Sequence, residues 1–195
     1  MTDENSSSLK SRAHVEHPVT AVALVGFMGA GKTTVGTALA SRLNWRFVDL
    51  DELIQARDGR KIQEIFQQSG EGAFRELERV ALRDAIQSCH RSPTVLSLGG
   101  GAFIDNTNQA LLRENEVPAV FLDASGEDLF QRCAQPEVVR PLRRDRDQFF
   151  ALYELRRPAY LRADLCIATG GKDIPAIVEE IISRLRLDST SGVLK

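Results

Sequence analysis

The sequence predicts an α/β fold, a parallel sheet covered by helices on both faces. Three observations carry that expectation. Five short apolar runs are spaced along the chain. Stretches of helical periodicity separate them. The first run leads straight into a glycine-rich turn and then a helix. A chain of 195 residues fits one domain, expected over residues 19–187.

Residues 1–18 are polar and rich in serine and charge, with no apolar centre. They are expected as a disordered lead-in and not as a secretory signal. Thr20 to Val25 reads as a buried strand ending at Gly26. In Lys32 to Leu43, residues Val35, Ala38, Leu39 and Leu43 fall on one helical face. Arg46 to Leu50 is the second strand.

Residues 51–93 break the rhythm, because a single crossover helix needs far fewer. They read as a substrate-binding insert of two or three helices, Glu52 to Arg57, Ile62 to Gln68 and Ala73 to Ser88. In the last of these, Phe74, Leu77 and Ala81 share a face.

Thr94 to Leu98 is the third strand, running into Gly99, Gly100 and Gly101. Pro118 to Leu122 is the fourth. Ser125 suits a helix N-cap, with Glu127 and Asp128 in the first turn. Residues 135–148 are charged and hold two prolines, so they read as a mobile loop, a candidate lid. Leu165 to Ala168 is the fifth strand. Ile174, Ile177, Val178, Ile181 and Leu185 form the stripe of a last helix, before a loose tail over residues 188–195.

Composition excludes several classes. Lys and Arg number 25 against 27 Asp and Glu, a net charge of −2, which disfavours a globally basic nucleic-acid binder. No apolar run reaches the roughly 18 residues of a transmembrane helix. The three cysteines, Cys89, Cys133 and Cys166, are odd in number, widely spaced and without a C-x-x-C. They read as small semi-buried side chains in a reducing, cytoplasmic setting. His14, His17 and His90 do not cluster at zinc-ligand spacing.

Residues 26–33, GFMGAGKT, match G-x-x-x-x-G-K-S/T, with a strand before and a helix after. Glycines let the backbone wrap a polyphosphate closely. The helix after Lys32 adds free N–H groups and a positive end. Lys32 neutralises charge between the outer phosphates, and Thr33 offers a hydroxyl to Mg²⁺. No Asn precedes a Lys, so the guanine-reading N-K-x-D is absent and a GTPase is disfavoured.

Asp49 and Asp51 close the second strand, and alternation places them on one side of an extended chain. One suits the water shell of a metal and the other an acceptor hydroxyl. The alternative is a pair of acids capping the next helix. Arg75 has the planar fork that suits a substrate carboxylate, against the alternative of a surface arginine paired with Glu71 or Glu78. Gly99 to Gly101 offer bare N–H groups at the crevice, or else a flexible turn. Residues 132–162 carry eight arginines and four acids, an excess that suits an anionic small ligand better than nucleic acid.

Together these motifs resemble the shikimate kinases, within the nucleoside-monophosphate-kinase-like P-loop family. The resemblance spans residues 20–187 and rests on GFMGAGKTT at 26–34, DLDELI at 49–54, GEGAFRELE at 70–78, LSLGGGA at 96–102, RPL at 140–142 and RRPAY at 156–160. It implies a five-stranded sheet of order 2-3-1-4-5 and ATP-dependent phosphorylation of the shikimate 3-hydroxyl, in the chorismate pathway. ATP would lie on Gly29, Ala30, Gly31, Lys32, Thr33 and Thr34. Its adenine would stack on Arg132 near Pro175.

The resemblance assigns Mg²⁺ to Thr33 and, through water, Asp49. It assigns the acceptor hydroxyl to Asp51, the shikimate carboxylate to Arg75 (supported by Glu78) and Arg156, and backbone contacts to Gly99, Gly100 and Gly101. Arg140 of the lid would touch the transferred phosphate. The family implies a cytoplasmic monomer that engages neither nucleic acid nor membrane. Arg143 stands where many members carry a second leucine, and the stretch from Arg140 to Arg156 is shorter than in many. The rival readings are another small-molecule kinase on this scaffold, such as a gluconate or nucleotide kinase, and a ligand-sensing relative without catalysis.

Overall fold

A computed structural model describes residues 19–133 and 145–187. Five strands form one parallel sheet: β1 (Ala21–Val25), β2 (Arg46–Asp49), β3 (Thr94–Ser97), β4 (Ala119–Asp123) and β5 (Leu165–Ala168). Their order is β2-β3-β1-β4-β5, as expected. The seven helices of the described residues are α1 (Lys32–Leu43), α2 (Leu50–Asp58), α3 (Ile62–Cys89), α4 (Asn106–Glu114), α5 (Gly126–Cys133), α6 (Arg146–Tyr160) and α7 (Ile174–Leu185).

Position in the sheet explains strand composition. The central β1 is buried at every residue, because helices cover both of its faces. The edge strand β5 alternates, with Leu165 and Ile167 buried and Cys166 and Ala168 exposed. Cys166 is therefore not semi-buried as expected, whereas Cys89 and Cys133 are buried.

Helix ends follow local chemistry. Asn44 ends α1 in the left-handed region (φ 55°), its N–H returning to Ala40 and Ser41 carbonyls. The Ser125 hydroxyl accepts from the Asp128 N–H at 3.1 Å, the expected cap of α5. The insert holds α2 and α3, and α3 is broken at Gly70 (φ 78°, ψ 171°). The two expected segments thus meet across a kink at Gly70.

Two boundaries differ from expectation. β2 stops at Asp49, so Asp51 lies in the first turn of α2 and not on an extended chain. α6 starts at Arg146, so residues 146–148 of the expected lid loop are helical. The Asp145 carboxylate fixes that start by accepting from the Gln148 N–H at 3.0 Å. The rest of the lid through residue 144, with Arg140 and Arg143, lies outside the described residues, as do both tails.

Candidate active site

In a parallel sheet the carboxyl ends of the strands open onto the ligand crevice. Here those ends surround a cavity of about 630 Å³, walled by the loop after β1, by Asp49 and Asp51, by Ser97 to Gly100, and by Arg132. Gly29 and Gly31 take left-handed backbone (φ 82° and 86°), which closes the loop onto the first turn of α1. A Cβ on Gly29 would also meet the Cys133 Sγ at 2.9 Å. Lys32 Nζ donates to the Gly26 and Phe27 carbonyls at 2.9 and 3.1 Å, folded back over its own loop.

The two oxygens of Asp49 have different partners, and the capping reading of it holds. Its Oδ1 accepts from the Asp51 and Glu52 N–H groups at 3.1 and 3.4 Å and caps α2. Its Oδ2 accepts from the Thr33 hydroxyl at 3.2 Å. A helix turn, and not strand alternation, therefore brings Asp51 to the same cavity.

Three side chains converge on the glycine run. A Cβ on Gly99 would stand 2.5 Å from Asp51 Oδ1, and one on Gly101 would stand 2.6 Å from Arg75 Nη2. Close approach by two charged side chains explains these glycines more directly than chain flexibility does. The middle carbonyl, of Gly100, accepts from Arg156 Nη1 at 3.3 Å and from the Tyr160 hydroxyl. Arg157 turns elsewhere, to Asp123 at 2.8 Å.

Arg75 is held at both ends of its fork. Nη1 donates to Glu78 at 2.9 Å and Nη2 to Glu71 at 3.2 Å. The alternative reading, pairing with Glu71 and Glu78, is what the structure shows, and the guanidinium so fixed is pressed against a glycine. Burial pushes the Glu78 carboxyl above its ordinary value, outweighing the pull of Arg75. Burial works against the Arg75 cation, but Glu78 and then Glu71 hold it above the ordinary range. Arg79 ties this helix to Asp105, the cap of α4, at 3.1 Å.

Residues 28–186 match the shikimate kinase family model. This chain belongs to the shikimate kinase family. It is 40% identical to the shikimate kinase of Persephonella marina over 163 residues, 84% of this chain and 97% of that protein. It is 39% identical to that of Thermus thermophilus over 179 residues, 90% and 95% of the two chains. The shikimate kinase of Acinetobacter baumannii, solved in complex with shikimate, superposes with a TM-score of 0.75 at 31% identity, covering 89% of this chain and 96% of that one. A gluconokinase from Sinorhizobium meliloti, 18% identical with a TM-score of 0.60, shares the fold alone.

For a shikimate kinase family member, the nucleotide side holds more than its motif announces. Thr169, Lys172, Ile174 and Ile177 also line the cavity, and sequence reading passed them over. Their signal was positional: they follow β5 at the open end of the sheet. Pro175, expected near adenine, is not on the cavity wall, which its neighbours Ile174 and Ile177 form. Arg132 is on the wall, its Nη1 at 3.5 Å from the Gly29 carbonyl. Among the described residues no helix is long and apolar enough to cross a membrane.

Proposed function

We propose that this chain uses ATP to phosphorylate the 3-hydroxyl of shikimate, giving shikimate 3-phosphate and ADP, with its steps carried by the residues above. Family membership gives the ATP-dependent kinase reaction. One observation carries the residue assignment: Asp51, Arg156 and Arg75 meet three consecutive glycines. That places a carboxylate beside two guanidinium groups on one short stretch of backbone, matching an acceptor that has hydroxyls at one end and a carboxylate at the other.

ATP lies along residues 29–34, with adenine against Arg132 and the Ile174 end of α7. Lys32 exchanges its loop carbonyls for phosphate oxygens. Arg75 and Arg156 take the shikimate carboxylate, and backbone of Gly99 to Gly101 lines its ring. Asp51 accepts the proton of the attacking hydroxyl as the new O–P bond forms and the bond between the β- and γ-phosphates breaks. Arg140, of the R-P-L motif, stabilises charge on the transferred group.

Thr33 and Asp49 fit Mg²⁺, because a hydroxyl and a carboxylate oxygen stand 3.2 Å apart at the cavity wall, both hard donors. Thr33 would hold the ion directly and Asp49 through water. When bound, Mg²⁺ neutralises phosphate charge. We take the enzyme to act as a monomer, as the family resemblance implies. The free cysteines support a cytoplasmic setting.

A coupled ADP-release assay with ATP and Mg²⁺ tests this reading. Release should depend on shikimate. Release with gluconate or a nucleoside monophosphate, and none with shikimate, would overturn it.

A further inference from the structure

The backbone after β3 is fastened carbonyl by carbonyl. Gly99 and Gly101 carbonyls accept from the Ala102 and Ile104 N–H groups at 3.0 and 3.1 Å. The Asn108 side chain donates to the Ala102 carbonyl at 2.9 Å, and the Gln109 side chain to the Phe103 carbonyl at 2.6 Å. Gly100 is held differently: two side chains of α6, Arg156 and Tyr160, converge on its carbonyl.

That carbonyl matters because the peptide is planar and trans. Fixing the Gly100 oxygen on one side aims the Gly101 N–H to the other. Glycine has no side chain to hold its own dihedrals, so the constraint must come from outside the run. Resting on the acceptor-side reading above, we propose that Tyr160 is a positioning residue for shikimate: its hydroxyl sets the Gly100 peptide and, through the shared carbonyl, the Arg156 guanidinium.

Tyr160 is suited to that task. It is fully buried, and its ring stacks on Phe121 of β4 with centroids 5.3 Å apart, so the sheet anchors it. Burial pushes its hydroxyl up to about 12, against the pull of Arg156, so it stays a donor through the neutral range. Phenylalanine would satisfy the ring packing. The hydroxyl adds the bond to Gly100 and a direct interaction with Arg156.

Tyr160→Phe tests the proposal, because it keeps the stack and deletes the donor. The KM for shikimate should rise about tenfold, the KM for ATP should stay within about twofold, and the thermal midpoint should move little. Unchanged shikimate KM overturns the proposal. So does an equal rise in both KM values with a lowered midpoint, which marks general loosening.

A double-mutant cycle with Arg156→Lys adds a second readout. Effects on shikimate KM should be non-additive, since both residues act at one carbonyl, and simple additivity overturns the proposal. Failure of the functional reading itself is visible separately, as absence of shikimate-dependent turnover in the unaltered enzyme.

Discussion

The Asp51 carboxylate lies so close to Gly99 that a methyl group there would stand 2.5 Å from its Oδ1. Asp51, proposed to take the hydroxyl proton, and Gly99, the first glycine of the proposed acceptor loop, are therefore one unit. Gly99→Ala should displace Asp51 and cut kcat about 10²-fold, since misplacement of about 1 Å has that cost. Steady-state turnover at saturating shikimate measures it. Turnover within about twofold of the parent would mean that the carboxylate has room to spare.

Lys32 rests on the Gly26 and Phe27 carbonyls at 2.9 and 3.1 Å, over the loop proposed to take the phosphates. Lys32→Ala should lower kcat by about 10²–10³ or more while the fold survives. Turnover and the thermal midpoint, measured on the same sample, separate chemistry from unfolding. Parent-like activity would contradict the phosphate assignment.

Arg75 touches the glycine run and not the cavity wall that surrounds the phosphate loop. Arg75→Ala should weaken shikimate by about 10²-fold, the loss expected of a charge-assisted contact, and leave ATP nearly untouched. Calorimetric titration with each ligand distinguishes the two. Equal losses would contradict the carboxylate role.

How much of this was legible beforehand depends on the range of the signal. The phosphate loop and the Ser125 cap follow from local pattern, and the strand order follows from the family resemblance. Asp51 reached its place by a route that strand alternation did not supply, because the helix that Asp49 caps starts at Leu50, two residues earlier than expected. Thr169 and Lys172 carry no local signature, and the RRPAY motif that contains Tyr160 does not by itself say what the tyrosine touches. What brings them to the site is the sheet, which stacks Phe121 on Tyr160 and sets the end of β5 beside the phosphate loop.

Glu78 couples function to pH. Its folded carboxyl titrates above the ordinary 4.5 because it is buried. The folded state thus binds that proton more tightly than the unfolded chain does, and the group's contribution to stability falls as pH rises from 4.5 through the folded value. Glu78→Gln lacks this titration, so its midpoint should gain on the parent between about pH 4.5 and neutrality, while shikimate KM rises because Arg75 loses an anchor. Thermal melts across that range test the sign. A variant that loses ground as pH rises would contradict it.

Thr33 and Asp49, 3.2 Å apart, predict the metal dependence. Thr33→Val keeps the shape and removes the hydroxyl, so half-maximal activity should need about tenfold more Mg²⁺. A Mg²⁺ titration at fixed ATP reads this directly, and an unchanged midpoint would remove Thr33 from the metal site.

The most direct test of the central claim is the structure of the product. Shikimate incubated with the protein, ATP and Mg²⁺ is analysed by phosphorus–proton correlation NMR. A phosphate coupled to the proton at C3, with one ADP formed per product, is the predicted result. Phosphate on another hydroxyl, or ADP released with no phosphoester formed, would contradict it.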